Sequence, residues 1–300
     1  MEMGRTLRSP VLTIMKNINT LVEDIYDLFS EEHESRRSKE DIEKAAKKAG
    51  RNIANLLIKS LEERKEKRPA TLRLSNVGKP KRQLWYQLTQ AEGESTLKPY
   101  DYIKFMYGHM IEELLLFLAF TSGHSVTEQQ KKVKIGGVTG HKDCKIDGVT
   151  VDVKSASAYA FKKFKEGTLS SDDPFGYISQ LSAYAKANNE KEAAFLAIDK
   201  QSGEITLLPL HQMEFDDVET TIKDIKKSLE NKEPPPKCYG DVPFNKSGNR
   251  QLAIGCRYCD YKRICWADAN NGQGLRQFNY ASGPVYLTQV TTVPNVEEVK

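Results

Sequence analysis

Asp143, Asp152 and Lys154 are the residues of this 300-residue chain whose types and spacing point most directly to chemistry. They lie in the stretch 133–158, KVKIGGVTGHKDCKIDGVTVDVKSAS, where Asp147-Gly148 separates two β-rich runs. Asp-Gly favours a two-residue hairpin turn, because both central residues need positive φ. Folding back at that tip sets Asp143 directly across from Asp152. Side chains alternate along a strand, so Lys154, two residues past Asp152, shares its face. Carboxylates this close repel each other unless a cation lies between them, and hard divalent ions such as Mg²⁺ or Mn²⁺ take such oxygen ligands. With an ammonium beside them, the set suits metal-assisted phosphodiester hydrolysis: a metal to activate water, positive charge to stabilise pentavalent phosphorus. An isolated D…D-x-K fits a salt-bridged surface hairpin better, so the elements around it must decide.

Tyr100 to Phe120 reads as a helix, buried nearly all round from Leu114 to Phe120. Glu112 and Glu113 enter that helix, where a buried carboxylate is costly unless paired or on a metal. One of the two is expected to face solvent. A second helix over 174–188 carries Gln180 and Tyr184 four apart, on one face. Glu192 to Ile198 and Ile205 to Leu208 read as a second hairpin joining the sheet, and a helix from His211 to Asn231 closes the domain. Between these elements, Phe161, Lys162, Lys163, Phe164 and Lys165 interleave rings with cations. That pattern suits stacking on bases and pairing with the DNA backbone, and it equally suits phenylalanines packed under solvated lysines. Arg82, near Trp85 and Tyr86, has two readings as well: a phosphate contact, or a guanidinium stacked on Trp85.

Composition sets the bounds. Hydrophobic residues make up 39% and charged residues 29%, with mean hydropathy −0.58, as in an ordinary soluble protein. No run of about 18 apolar residues exists, and MEMGRTLRSP lacks an apolar signal core, so a cytoplasmic location is expected. Lys and Arg total 45 against 41 acids, for a net charge of +4 and a pI near 8.6, which permits a nucleic-acid partner without demanding one. Residues 11–68 read as helices, with Ile42, Ala46, Ala49, Ile53, Leu56 and Ser60 forming one narrow stripe on a solvated arm. EERKEKR (62–68) then stops at Pro69 and is read as a solvated face in preference to a DNA contact. Past the break at Pro234-Pro235-Pro236, four of five cysteines, Cys238, Cys256, Cys259 and Cys265, follow C-x₁₇-C-x₂-C-x₅-C, a spacing that suits a metal better than disulfides. Four thiolates can hold zinc or a [4Fe–4S] cluster, and spacing does not separate the two. The fifth, Cys144, is expected to be a small side chain on the face opposite Asp143. Residues 271–300 show little pattern and are expected to be an extended or disordered tail.

Gly140-His141-Lys142-Asp143 followed by Asp152-Val153-Lys154 resembles the metal-binding core of the PD-(D/E)XK nucleases, with D-x-K in place of E-x-K. Within that superfamily the resemblance is to the RecB-like branch, which includes phage exonucleases and the CRISPR adaptation nucleases. Gly108 to Glu112 resembles the G-x-x-x-E that precedes the hairpin in several of these families, where the RecB branch commonly has histidine. This makes Glu112 the third metal-site residue, Glu113 its competitor and His109 a neighbour. Gln180 and Tyr184 resemble the Q-x-x-x-Y motif that helps orient substrate and catalytic groups. The last three cysteines resemble those of the cluster-bearing members, which favours iron–sulfur over zinc. The first cysteine of those members is replaced here by Pro80, ahead of Arg82, and Cys238 would stand in for it.

The resemblance implies a restriction-endonuclease-like α/β fold, a mixed central sheet flanked by helices. It divides the chain into an N-terminal helical region (1–95), the nuclease core (96–233), a cysteine-ligated metal lobe (234–270) and the tail (271–300). The implied activity is a Mg²⁺- or Mn²⁺-dependent DNA exonuclease of phage or bacterial recombination or DNA degradation. Glu112, Asp143, Asp152 and the Val153 carbonyl would bind metal, and Lys154 would position or deprotonate water. Arg82, Lys162, Lys163 and Lys165 would contact DNA that is linear, single-stranded or frayed at its ends. A recombination protein or a second copy of the chain would be the protein partner. A structure-specific endonuclease and a non-catalytic DNA-binding subunit with this fold stand as alternatives.

Overall fold

The computed structural model describes residues 16–32, 35–62, 70–91, 93–94 and 98–299. The basic run 62–68 lies, past Glu62, outside these residues. Four helices come first: α1 (Leu21–Asp27), α2 (Lys39–Glu62), α3 (Lys81–Leu88) and α4 (Pro99–Thr121). The expected long hairpin then forms, but in pieces: β1 (Val126–Thr127), β2 (Lys131–Ile135), β3 (Val138–Lys142), β4 (Cys144–Ile146) and β5 (Val149–Ala156). Asp147 and Gly148 make the turn with φ of 49° and 86°, and Cys144 pairs with Val151 in the expected register. The arm before the turn is not one strand. A second hairpin, β2–β3, folds at Gly136-Gly137, both at positive φ, and Asp143 sits in the break between β3 and β4. Two adjacent glycines free of Cβ strain favour a turn there over a continuous strand.

After β5 come α5 (Ala158–Lys165), α6 (Tyr177–Lys186), β6 (Glu192–Asp199), β7 (Ile205–His211) and α7 (Val218–Leu229). The central sheet runs β1-β4-β5-β6-β7 and is mixed, with β5 and β6 parallel and the other pairs antiparallel. Alternation along β5 and β6 supplies two apolar faces. Val151, Val153, Ala194 and Leu196 pack with Leu21, Ile25, Leu115 and Leu116 from α1 and α4. Ala193, Phe195 and Ala197 pack with Phe161, Phe164 and Leu181 from α5 and α6. Burying each large apolar side chain stabilises by roughly 1.5–3 kcal/mol, so these two layers carry most of the core. A third cluster joins Leu74 and Leu84 to β2, β3, α6 and α7.

In α4, Leu115, Leu116 and Ala119 are buried while Leu114 is 48% exposed, so the helix is buried on one side and not all round. No residue of α2 is buried. Ile42, Ala49, Ile53, Leu56 and Ser60 are half-buried and Ala46 is exposed, with Ala45 and Ala49 lining a groove against Leu116 and Phe120 of α4. Among the described residues no helix is long and apolar enough to cross a membrane.

Residues 241–299 form a second sheet, which corrects the expected tail. Its strands are β8 (Asp241–Pro243), β9 (Arg250–Leu252), β10 (Arg276–Tyr280), β11 (Gly283–Gln289) and β12 (Glu298–Val299), in the order β12-β10-β11-β9-β8. Phe278, Val285 and Leu287 are buried in it. Few large apolar residues mark these strands, and the period-2 spacing of Val285 and Leu287 is the signal they do leave. Short helices α8 (Ile254–Arg257), α9 (Lys262–Cys265) and α10 (Ala269–Gly272) connect β9 to β10.

One close approach fixes α6. Gly176, its N-cap residue at φ 71°, lies against Gly78, and a Cβ on Gly176 would stand 2.2–2.4 Å from Gly78 backbone atoms. Gly176→Ala should therefore cost at least about 1–2 kcal/mol from backbone strain alone and push α6 outward, read as a lowered Tm. An unchanged Tm would mean that the two segments part freely.

Candidate active site

The site lies where β5 faces α6 and the middle of α4. Asp152, fully buried, accepts from Gln180 Nε2 at 3.0 Å through Oδ1 and pairs with Lys154 Nζ at 2.5 Å through Oδ2. Asp143 Oδ2 accepts the Val153 backbone N–H at 2.8 Å. The strand break makes this possible, because Asp143 turns its side chain to the β5 backbone where a ladder carbonyl would otherwise stand. Glu112 enters from α4, its Oε1 accepting from Gln130 Nε2 at 2.9 Å and its Oε2 lying 3.8 Å from His109 Nδ1. Glu113 turns away, accepting from Asn52 of α2 at 3.0 and 3.1 Å. Of the two glutamates, Glu112 faces the aspartates.

Electrostatics follow from that crowding. Burial, then the charges of Asp152 and Glu112, push the Asp143 carboxyl well above the usual carboxylate range, against the pull of Lys154 and the Val153 N–H. Burial also raises Asp152, although Lys154 opposes it. Burial works against the Lys154 charge, but Asp152 and Asp143 outweigh it and hold its pKa above the ordinary lysine value. With Asp152 and Asp143 beside it, the Lys154 ammonium is favoured, which suits it to stabilising negative charge. Tyr184 is buried, within 3.4 Å of Gln180 Nε2 through its hydroxyl, and burial with the aspartate charges raises its pKa.

Two contributors went unread in the sequence. Tyr177 lies beneath Lys154, whose Nζ is 4.7 Å from the ring centroid. Its signal was present, since Tyr177, Gln180 and Tyr184 repeat at i, i+3, i+7 on one helical face. Gln130 left no signal, because it depends on a turn with Glu128 and Gln130 at φ of 51° and 53°.

The residues read as DNA contacts meet partners within the chain. Arg82 donates to the Pro235 carbonyl and to the Tyr86 hydroxyl at 3.1 Å, and stacks on Tyr86, not Trp85. Lys162 pairs with Glu166 at 3.6 Å, Lys163 with Asp172 and Lys165 with Glu204. Phe161 and Phe164 are buried in the core, so their faces are not open to bases. An amphipathic helix gives the alternation of rings and cations, with apolar burial outweighing exposure of the rings.

Behind the site, Lys142 is fully buried and reaches Glu128 Oε2 at 2.5 Å and Thr150 Oγ1 at 3.4 Å. This pairing anchors the end of β3 next to Asp143. Lys131 and Lys142 hold the Glu128 carboxyl down to about 2. Glu128→Gln should cost about 1–3 kcal/mol, as expected for a buried donor short of a partner. A depressed carboxylate stabilises the fold above its unfolded pKa of about 4.3 and stops doing so as pH falls through its folded value. The Tm deficit of the variant should therefore be full at pH 7 and shrink between about pH 4 and pH 2; a deficit constant across that range would contradict the pairing.

The four C-terminal cysteines line one small cavity with Pro80, Arg82, Tyr86 and Trp266. Pro80 is the N-cap of α3. Burial pushes the Cys256 thiol up to about 11 and raises Cys259 and Cys265. Trp266 Nε1, buried and without an oxygen or nitrogen acceptor among the described residues, lies beside Cys256 and favours its thiolate, as Arg82 does for Cys265. Cys144 is buried in the apolar core, as expected. As they stand, no three His, Cys, Asp or Glu side chains among the described residues sit at metal-ligand spacing. The donor chemistry nevertheless fits: carboxylates that repel one another suit a hard cation, and four sulfurs lining one cavity, with the Trp266 and Arg82 N–H groups beside Cys256 and Cys265, suit a thiophilic metal.

No protein-family model and no curated protein matches the chain. Among solved structures, SSO0001 is similar at 14% identity over 69% of this chain and 93% of its own, with a TM-score of 0.40. An alkaline exonuclease, LHK-Exo from Laribacter hongkongensis, is similar at 16% identity over 54% of this chain and 89% of its own, with a TM-score of 0.39. A phage related exonuclease from Haemophilus somnus 129PT is similar at 13% identity over 54% of this chain and 92% of its own, with a TM-score of 0.33.

Proposed function

We propose that this chain is a Mg²⁺- or Mn²⁺-dependent deoxyribonuclease of the PD-(D/E)XK kind, acting as an exonuclease on linear DNA. The observation that carries the reading is the convergence of Asp143, Asp152 and Glu112 beside the half-buried Lys154. Glu112, Asp143, Asp152 and the Val153 carbonyl would hold the metal, which when bound supplies Lewis acidity and an activated water. Lys154 supplies the fixed positive charge for the developing phosphorane. Gln180 orients Asp152, and the Tyr177 ring lies under the Lys154 ammonium. The four cysteines on one cavity support a second, structural centre on Cys238, Cys256, Cys259 and Cys265, with a [4Fe–4S] cluster favoured over zinc. In that reading Cys238 compensates for Pro80, since both line the same cavity.

The test of the exonuclease reading compares linear with covalently closed circular DNA in Mg²⁺. Nucleotide release from the linear form with the circle intact is expected; linearised or fragmented circles would make it an endonuclease.

The cysteine centre makes its own prediction. Cys238→Ala should lose bound metal and lower Tm, with the loosening confined near the cavity, because the second sheet buries Phe278, Val285 and Leu287 independently. Anaerobically purified wild-type protein should be brown if the centre is iron–sulfur. Colourless protein with one zinc per chain would replace iron by zinc, and metal-free protein with Cys238→Ala of unchanged Tm would remove the centre altogether.

A further inference from the structure

We infer that the exposed ring of Phe175 is a stacking platform for an unpaired nucleobase of the strand being cut, setting the attached phosphate near Lys154. This rests on the nuclease reading above. Phe175 is 56% exposed, yet it is held in place. Its ring stacks on Tyr177 with centroids 5.5 Å apart and planes 27° apart, and Tyr177 stacks in turn on buried Phe164 at 6.3 Å and 29°. The ring contacts thus run from buried Phe164 through Tyr177 to exposed Phe175, and the Lys154 ammonium lies over the middle ring.

The loop under Phe175 is ordered by its own bonds. Asp173 Oδ2 accepts the Ile178 N–H at 2.9 Å, the Asp173 carbonyl accepts the Gly176 N–H at 3.3 Å, and Lys163 Nζ donates to the Asp172 carbonyl at 3.1 Å. Pro174 fixes its own φ within this turn. A singly exposed phenylalanine is ordinary on a protein surface. This one differs in being preorganised, face-stacked from below and one ring away from the candidate catalytic cation. Every base has a π-face, so such a platform binds without sequence preference. Within a duplex both faces of a base are already covered by neighbours, so the platform selects a terminal or unpaired base.

The test uses the full-length protein and short labelled single strands, either intact or with base-free sugars at the terminal positions. Affinity is read by fluorescence anisotropy in Ca²⁺, which takes the same oxygen ligands, and nucleotide release is read in Mg²⁺. Wild-type protein should bind intact strands roughly tenfold more tightly than base-free ones, within the range for one stacked base. Phe175→Ala and Phe175→Leu should lose that factor on intact strands and nothing on base-free ones, while Phe175→Trp should keep it. Equal affinity of wild type and Phe175→Ala for intact strands, or an equal loss on both substrates, would overturn the platform while leaving the nuclease reading standing. Wild-type protein that neither binds nor cuts would overturn both.

Discussion

Asp152→Asn and Asp143→Asn are each expected to lower the rate of DNA cleavage by roughly 10³-fold or more. Metal-ion catalysis supplies several kcal/mol of transition-state stabilisation, and each ~1.4 kcal/mol is tenfold in rate. Asparagine keeps the shape of the side chain, so an amide at position 152 can still meet Gln180, and the Val153 N–H keeps an acceptor at position 143. What is lost is the negative charge that, in the proposed centre, would hold a divalent cation. If the carboxylates act as one unit, as proposed, the double variant should be little slower than either single one, and Glu112→Gln should belong to the same non-additive set. Single-turnover nucleotide release across these variants checks the claim. Small, additive losses would mean that the carboxylates serve only the fold.

Lys154→Met should lower cleavage by about 10² or more, the scale for losing one preorganised group that stabilises transition-state charge. Methionine keeps an unbranched side chain without the charge, so DNA affinity should hold while kcat falls. The lysine is 17% exposed at its side chain and bound to Asp152 at 2.5 Å, which fixes its charge at one point. Near-normal kcat in this variant would remove Lys154 from the chemistry.

Much of this site was legible because local rules governed it. Asp147-Gly148 determined the turn, the turn determined the register, and strand alternation then placed Asp152 and Lys154 together. Gln180 met Asp152 because the 3.6-residue period holds wherever a helix packs on a strand. The split of the first arm was visible in the residue types of Gly136-Gly137, which compete with strand continuity. What could not be read was long-range. Glu113 turning to Asn52 depends on α2 packing against α4, and Arg82 reaching Pro235 joins segments that no periodicity connects. The lysines of α5 found carboxylates at Asp172 and Glu204, which lie on a following loop and beyond β6. The second sheet was missed because its strands are short and sparsely apolar, so its signal fell below that of the glycine- and asparagine-rich turns around it.

Nucleotide release from end-labelled linear DNA, followed through a Mg²⁺ titration of protein first stripped with EDTA, tests the catalytic centre most directly. A centre built on Asp143, Asp152 and Glu112 predicts no release without metal and a saturable rise as Mg²⁺ is added. Release that persists in EDTA, or no release at any Mg²⁺ or Mn²⁺ concentration, would contradict it.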